Sequence, residues 1–152
     1  MLVSLLVILL AALAIAYIVP TVRGARRRVA DLNPALEQLL RSDLANPIIT
    51  VRPKFAPNKF VQFSRYDIDT KRRGVELVFP HAPWSEAYFP KVVTLASKLG
   101  IKYEIVDDDY PGLRFVFVMF GDSTADAVAF AERVMVDILG FSGTYKFRVR
   151  MD

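Results

Sequence analysis

The amino-acid sequence predicts an α+β protein in which a single N-terminal transmembrane helix is followed by a ferredoxin-like (βαββαβ) domain. Two observations lead to this prediction. Hydrophobic residues are concentrated at the N-terminus, where 19 of the first 22 residues belong to that class. After residue 74, stretches with the two-residue period of strands and stretches with helical period follow one another in the order β-α-β-β-α-β. We divide the chain into a transmembrane segment (1–22), a basic juxtamembrane segment with a short amphipathic helix (23–47), and an α+β domain (48–152), of which 48–73 is a hairpin extension and 74–152 the βαββαβ core.

The first segment is predicted to span a membrane because no charged residue interrupts it. About 20 apolar residues are enough to cross the hydrocarbon core of a bilayer. A cleaved signal peptide is the alternative, but such a peptide begins with positive charge. Here the cationic cluster follows the apolar run and consists of Arg23, Arg26, Arg27 and Arg28. Since Lys and Arg are retained on the cytoplasmic side, we expect an external N-terminus, a cytoplasmic C-terminal domain and contacts between these arginines and lipid headgroups.

The four arginines account for the whole net charge of +4, which leaves 16 basic and 16 acidic residues in 29–152. A charge-neutral domain argues against a protein that coats nucleic acid, because phosphate neutralisation supplies most non-specific affinity. The absence of cysteine and the single histidine, His81, exclude disulfides, thiolate metal sites and multi-histidine metal sites.

Local patterns place the elements of the domain. Asn33-Pro34 begins a short helix with leucines on one face, which ends before Asn46-Pro47. Two short strands flank the turn-rich stretch 53–58, and 69–74 is a polar connection. The remaining strands are expected at 75–79, 101–106, 113–120 and 145–151, and the helices at 88–99 and 123–139. Ser123 is the expected cap of the second of these helices.

Strand alternation separates a face under the helices from an open face of the sheet. The open face is expected to carry Phe115, Phe117 and Met119 at its centre, flanked by charged residues that include Arg148 and Arg150. Trp84, in the loop between the first strand and the first helix of the core, is expected to anchor into the core or into a partner. We take these six residues as the candidate partner interface.

The open face resembles the RNA-recognition motif, whose third strand presents two aromatic residues for base stacking. The similarity lies in the segment from Arg114 to Phe120, where Phe115 and Phe117 occupy the stacking positions. The segment departs from the motif at Leu113-Arg114, where the motif has a basic residue and glycine, and at Val116, where it has a small residue. The resemblance implies RNA binding as one expectation.

A covering protein is the other expectation for the open face, since a contiguous apolar patch marks an interaction site. Three covers are possible: the hairpin at 48–69, a second copy of the domain, or a partner subunit. Our leading hypothesis is an accessory, assembly or scaffold subunit of a larger membrane protein complex, with membrane protein subunits or further copies of itself as partners and with the lipid bilayer around its helix. The alternatives are a ligand-sensing regulatory domain and, less favoured, membrane-tethered RNA binding.

No catalytic, cofactor or metal site is predicted, because no motif for one is present. The segment Asp107-Asp108-Asp109 offers oxygen ligands for a hard cation, but the following Pro111-Gly112 is typical of a solvated turn. A catalytic set of His81, Ser85 and Glu86 is conceivable, yet nothing in the sequence fixes its geometry.

Overall fold

The computed structural model of the protein describes residues 24–108 and 112–152. The predicted transmembrane segment and Arg23 lie outside these ranges, as do Asp109, Tyr110 and Pro111. The described strands are β1 (Ala25–Arg27), β2 (Ile48–Arg52), β3 (Val61–Asp67), β4 (Arg73–His81), β5 (Tyr103–Asp107), β6 (Arg114–Met119) and β7 (Phe147–Met151). The α-helices are α1 (Asn33–Arg41), α2 (Phe89–Lys98) and α3 (Thr124–Arg133), and α3 continues as a π-helical turn, Val134–Ile138.

The helix starts follow from local chemistry. Ser123 caps α3, because its Oγ accepts a hydrogen bond from the backbone N–H of Asp126 at 3.3 Å. Asn33 does not cap α1 as expected; the cap position is Leu32. The Asn33 side chain instead accepts a hydrogen bond from Thr124 Oγ1 at 2.7 Å, and this bond ties the start of α1 to the start of α3.

The seven strands form one antiparallel sheet in the order β1-β7-β2-β3-β4-β6-β5. All three helices pack on the same face of this sheet. Alternate residues of the strands point into that layer. In the inner strands many of them are fully buried, among them Val51, Phe63, Leu77, Phe79, Val116 and Val118. The helices contribute apolar side chains of the same kind, including Leu36, Leu39, Val92, Phe130 and Ala131.

The predicted ferredoxin-like sheet is wrong. In that arrangement the last strand of the βαββαβ unit lies beside the first strand, which here is β4. The structure instead places β3 beside β4, and β2 then separates β3 from β7. The strands at 48–52 and 61–67, expected as an extension or as a cover for the open face, are therefore inserted within the sheet. Over the residues that the structure describes, the fold is a seven-stranded antiparallel sheet with three α-helices on one face.

The predicted single-pass membrane topology is also corrected. Among the residues that the structure describes, no helix is both long enough and apolar enough to cross a membrane. Even α3 with its π-helical continuation covers only 124–138, which is shorter than the roughly 20 residues that a bilayer requires. These short helices bury one apolar side against the sheet. Within its described residues, the structure therefore does not support the predicted single-pass protein with an external N-terminus and a cytoplasmic domain.

Candidate functional site

The sheet face that points away from the three helices, which we call the open face, holds most of the predicted interface residues. Its side chains come from the strand positions that alternate with the buried core positions. On β6, for example, Val116 and Val118 are fully buried under the helices, whereas Phe115, Phe117 and Met119 are half-buried on the other side. No helix of the described chain packs on this face, and the β2–β3 hairpin lies within the sheet and does not cover it.

One half of the open face is apolar. The rings of Phe115 and Phe117 lie 6.4 Å apart at an angle of 52°. The register sets Phe115 opposite Pro80 and Phe117 opposite Val78 on the neighbouring strand β4. Pro80 and Val78 are buried although they lie on the open face, because the side chains of the adjacent strands cover them. The two phenylalanines thus form the outer layer of a continuous apolar surface, which we call the aromatic patch.

The other half of the open face carries a row of arginines. Arg148 on β7 lies opposite Arg26 on β1 and, on its other side, opposite Arg52 on β2. Directly opposed residues of antiparallel strands point to the same face with their Cβ atoms about 5 Å apart. We call Arg26, Arg52 and Arg148 the arginine row. All three are exposed.

Few negative charges within the described chain neutralise the positive charge of the arginine row. The guanidinium of Arg52 lies 5.4 Å from the centre of the Phe60 ring. Arg150, the next outward residue on β7, pairs with Asp152 at 2.5 Å. Among the described residues, Arg26 and Arg148 form no ion pair with a carboxylate. Like charges that face one another across strands destabilise a sheet, so the arginine row favours binding of an anionic group from outside.

Glu76 lies in the middle of the open face, between these two halves. Its carboxylate accepts a hydrogen bond from Ser64 Oγ at 2.7 Å, and the residue is only 8% exposed. Burial raises the pKa of this carboxyl, the Ser64 bond opposes that change, and the charge of Glu104 adds to the rise. The sequence analysis did not include Glu76 among the interface residues. The feature of the sequence that points to Glu76 is a single carboxylate within the otherwise apolar run 75–80 of β4.

The other predicted residues lie away from this surface. Arg27 is exposed on β1, and Arg28 pairs with Asp31 at 2.8 Å just before α1. The Arg28 hydrogen bond lowers the pKa of the Asp31 carboxyl. Trp84 is partly buried against the core, with its ring centre 5.6 Å from those of Phe60 and Phe79. The structure therefore brings together five of the six predicted interface residues on one face: Phe115, Phe117, Met119, Arg148 and Arg150. Trp84, in the loop after β4, packs against the core instead.

The loop after β4 does not form a catalytic set. Ser85 is fully buried, and its hydroxyl donates to the carbonyl of Pro80 at 2.6 Å while accepting from the N–H of Ala82 at 2.8 Å. The ring of His81 instead meets the ring of Phe89 edge to face, with their centres 5.0 Å apart. The hydroxyl is therefore engaged in holding the turn and is not presented to a base.

The acidic segment after β5 is likewise engaged locally. Asp107 forms an exposed ion pair with Arg114 at 2.6 Å across the β5–β6 hairpin. Within residues 24–108 and 112–152, no three carboxylate or histidine side chains are grouped closely enough to hold a metal ion.

Comparison of the chain with protein-family models, with curated proteins and with solved structures gives no match.

Proposed function

We propose that this chain is an accessory or scaffold subunit of a larger protein complex, and that it binds a partner protein through the open face of its sheet. One observation supports this function above all others. The aromatic patch and the arginine row lie on the same face, which no described helix or strand covers, and the outward residues of β3 and β4 lie between them. From Arg52 on β2 to Phe115 on β6 there are three strand spacings, or about 14 Å. A single protein surface of ordinary interface size covers both.

The chemistry of the face indicates the chemistry of the partner. The buried centre of a protein interface is apolar and rich in aromatic residues, whereas its rim is polar. Phe115 and Phe117 fit the first role, and Arg26, Arg52 and Arg148 fit the second. We therefore expect the partner to offer an apolar side chain to the aromatic patch and carboxylates to the arginine row. Tight contacts of this kind concentrate in aromatic residues and arginine.

The position of the carboxylates favours protein over RNA as the partner. Glu104 lies directly opposite Phe117, and Glu76 lies opposite Met119 on the other side of the same strand. A nucleotide stacked on Phe117 brings its phosphate close to these carboxylates, and phosphate binding requires the opposite charge. Arg52, the arginine of the row nearest to the phenylalanines, lies about 14 Å from Phe115, and Arg148 and Arg26 lie further away. The row therefore does not offset this repulsion at the stacking site.

Site-specific photo-crosslinking in the cells that express the protein tests this proposal. A benzoylphenylalanine is placed at Phe117 in one variant and at Arg148 in another, and the matched control carries it at Lys91, which is exposed on α2 on the helix-covered side. We expect the same protein to be crosslinked from both open-face positions and not from Lys91. Nuclease-sensitive adducts from Phe117, or the same products from all three positions, would contradict the proposal.

A further inference from the structure

The strand β5 ends the sheet with one free side. It pairs with β6 on its inner side, and no described strand pairs with its outer side. Ile105 and Val106, at the middle of the strand, are 46% and 44% exposed. An exposed apolar edge strand is a template for pairing with another chain.

The hydrogen bonds at the two ends of β5 identify the backbone groups that point outward. The N–H of Met119 donates to the carbonyl of Lys102 at 2.9 Å, and the N–H of Asp108 donates to the carbonyl of Leu113 at 2.8 Å. In an antiparallel ladder, hydrogen-bonded residues alternate with residues whose N–H and C=O point the other way. The N–H and C=O groups of Tyr103, Ile105 and Asp107 therefore point away from β6, toward the free side.

The opposite end of the sheet is built differently. The strand β1 has only three residues, all exposed, and two of them are Arg26 and Arg27. Short length and positive charge are the usual means by which proteins protect a sheet edge from pairing. Of the two edge strands, β5 is therefore the one suited to pairing with another chain.

We propose that two copies of this chain pair antiparallel through β5, with the two-fold axis at Ile105. In this register Ile105 faces Ile105 of the second copy, Tyr103 faces Asp107, and Glu104 faces Val106. Lys102 faces Asp108 of the second copy at both ends of the paired strands. The outward backbone groups of the two strands then bond to one another, and each end carries an ion pair.

Charge selects this register among those that keep the outward groups paired. Such registers shift the pairing by two residues, which moves the axis by one residue, so that outward-pointing residues still lie opposite outward-pointing residues. Moving the axis to Glu104 places the two copies of Glu104 face to face, and moving it to Val106 places Glu104 opposite Asp108. Like charges directly opposite are destabilising, so both neighbouring registers are disfavoured relative to the one centred on Ile105.

This dimer joins the two sheets into one and places both open faces on the same side, because directly opposed residues of antiparallel strands share a face. The two aromatic patches then lie about 14 Å apart, three strand spacings from β6 to β6. The interface is isologous and closed, so pairing stops at the dimer. The dimer does not depend on the proposed partner protein.

Sedimentation equilibrium of the full chain, from about 1 to about 100 μM, tests the dimer, since a short interface is expected to have a dissociation constant on the order of micromolar. Ile105→Pro removes the N–H at the two-fold axis. Because that N–H points away from β6, the substitution leaves the β5–β6 ladder bonded. We expect this variant to be monomeric over the whole range. A monomeric wild-type chain, or a dimer that survives in Ile105→Pro, would overturn the proposal.

Charge reversal tests the register without altering the backbone. Lys102→Asp and Asp108→Lys should each weaken the dimer about tenfold, because each replaces two attractive pairs by two repulsive ones. The double variant carrying both changes should regain wild-type affinity. The matched control is Lys71→Asp, an exposed lysine in the β3–β4 turn, which should leave the dimer unchanged. Failure of the double variant to recover would exclude the register centred on Ile105.

A dimer formed through the open face would give a different result. Substitution of Phe115 and Phe117 by serine should leave the β5 dimer intact while abolishing partner crosslinking from the probe at Arg148. If those substitutions dissociate the dimer, the open face itself is the contact between copies and the β5 proposal fails. If the dimer persists and no partner is found, only the proposed function fails.

Discussion

The ring of Tyr66 lies directly over Gly74 on the open face of the sheet. The two residues are opposite one another on β3 and β4, and a Cβ atom added at Gly74 would lie 2.5 Å from Tyr66 Cζ. The Tyr66 hydroxyl also accepts a hydrogen bond from the N–H of Gly121 at 3.1 Å. An aromatic ring that covers a glycine on a neighbouring strand replaces the packing that the glycine lacks.

We therefore expect Gly74→Ala to destabilise the fold by about 1–3 kcal/mol, because the added methyl group displaces the ring and breaks its hydrogen bond. Urea denaturation followed by circular dichroism measures the change. Gly143→Ala is the matched control, since a Cβ there meets no atom within 4 Å and the backbone φ is not positive. Equal stability of the Gly74→Ala and Gly143→Ala variants would show that the packing of the Tyr66 ring does not require glycine at position 74.

Glu76 gives a pH-dependent prediction. Burial raises the pKa of its carboxyl above the ordinary value of 4.5, so the folded state binds the proton more tightly than the unfolded state. Stability must then fall as the pH rises from about 4.5 through the folded-state pKa, and the loss is complete above that pKa. Glu76→Gln keeps an acceptor for Ser64 and removes the charge.

We expect Glu76→Gln to be more stable than the wild type at pH 7 and to lose that advantage below pH 4.5. The informative quantity is the difference between the two proteins across a pH series, since other carboxyl groups titrate in both. An advantage that is constant with pH would show that the Glu76 charge is not the cause.

The buried hydroxyl of Ser85 has a structural role that can be measured. Ser85→Ala leaves the N–H of Ala82 and the carbonyl of Pro80 without this partner. We expect a loss of about 1–3 kcal/mol in the free energy of unfolding, with no change in partner crosslinking from Phe117. Ser97→Ala, at an exposed position near the end of α2, is the control and should change stability by less than about 0.5 kcal/mol. Loss of binding in a Ser85→Ala protein that remains folded would point to a role in the site.

Reversing the charge of one arginine in the row should have opposite effects on the stability of the fold and on partner binding. Arg148 lies between Arg26 and Arg52, so Arg148→Glu replaces two repulsive neighbours by two attractive ones. We expect this variant to be more stable than the wild type by about 0.2–1 kcal/mol at low salt, with the gain shrinking at high salt. The same substitution should weaken partner binding. A variant that loses both stability and binding would indicate a structural role for Arg148.

Local patterns located the elements of this fold but not their order in the sheet. The strand predicted at 75–79 is β4, and the helix capped by Ser123 is α3, because periodicity and capping depend on neighbouring residues. Which strands lie beside β4 depends instead on pairing between separate segments of the chain, which periodicity within one segment does not indicate. The turn at 68–72 is closed by a bond from the Ile68 N–H to the Arg72 carbonyl at 2.9 Å and lets β3 fold back onto β4. A polar connection at 69–74 does not by itself indicate that β3 pairs with β4, so the predicted ferredoxin-like order had the last strand beside β4.

In the candidate site, too, one part could be predicted from the sequence and another part could not. Alternation along β6 was sufficient to assign Phe115 and Phe117 to the face opposite Val116 and Val118. The arginine row was beyond sequence reasoning, because it exists only where β1 and β2 flank β7. Arg26 was assigned to lipid contact and Arg52 to no site, since nothing local relates either of them to Arg148.

The affinity of the partner recovered through Phe117 tests the open-face interface most directly. Titration calorimetry at fixed ionic strength would compare the wild type with Phe117→Ser, Arg148→Glu and the control Lys91→Glu. We expect Phe117→Ser and Arg148→Glu each to raise the Kd at least about thirtyfold, as interface hot spots do, and Lys91→Glu to leave it unchanged. Unchanged affinity in both open-face variants, with each protein folded, would contradict the assignment of this face as the binding surface.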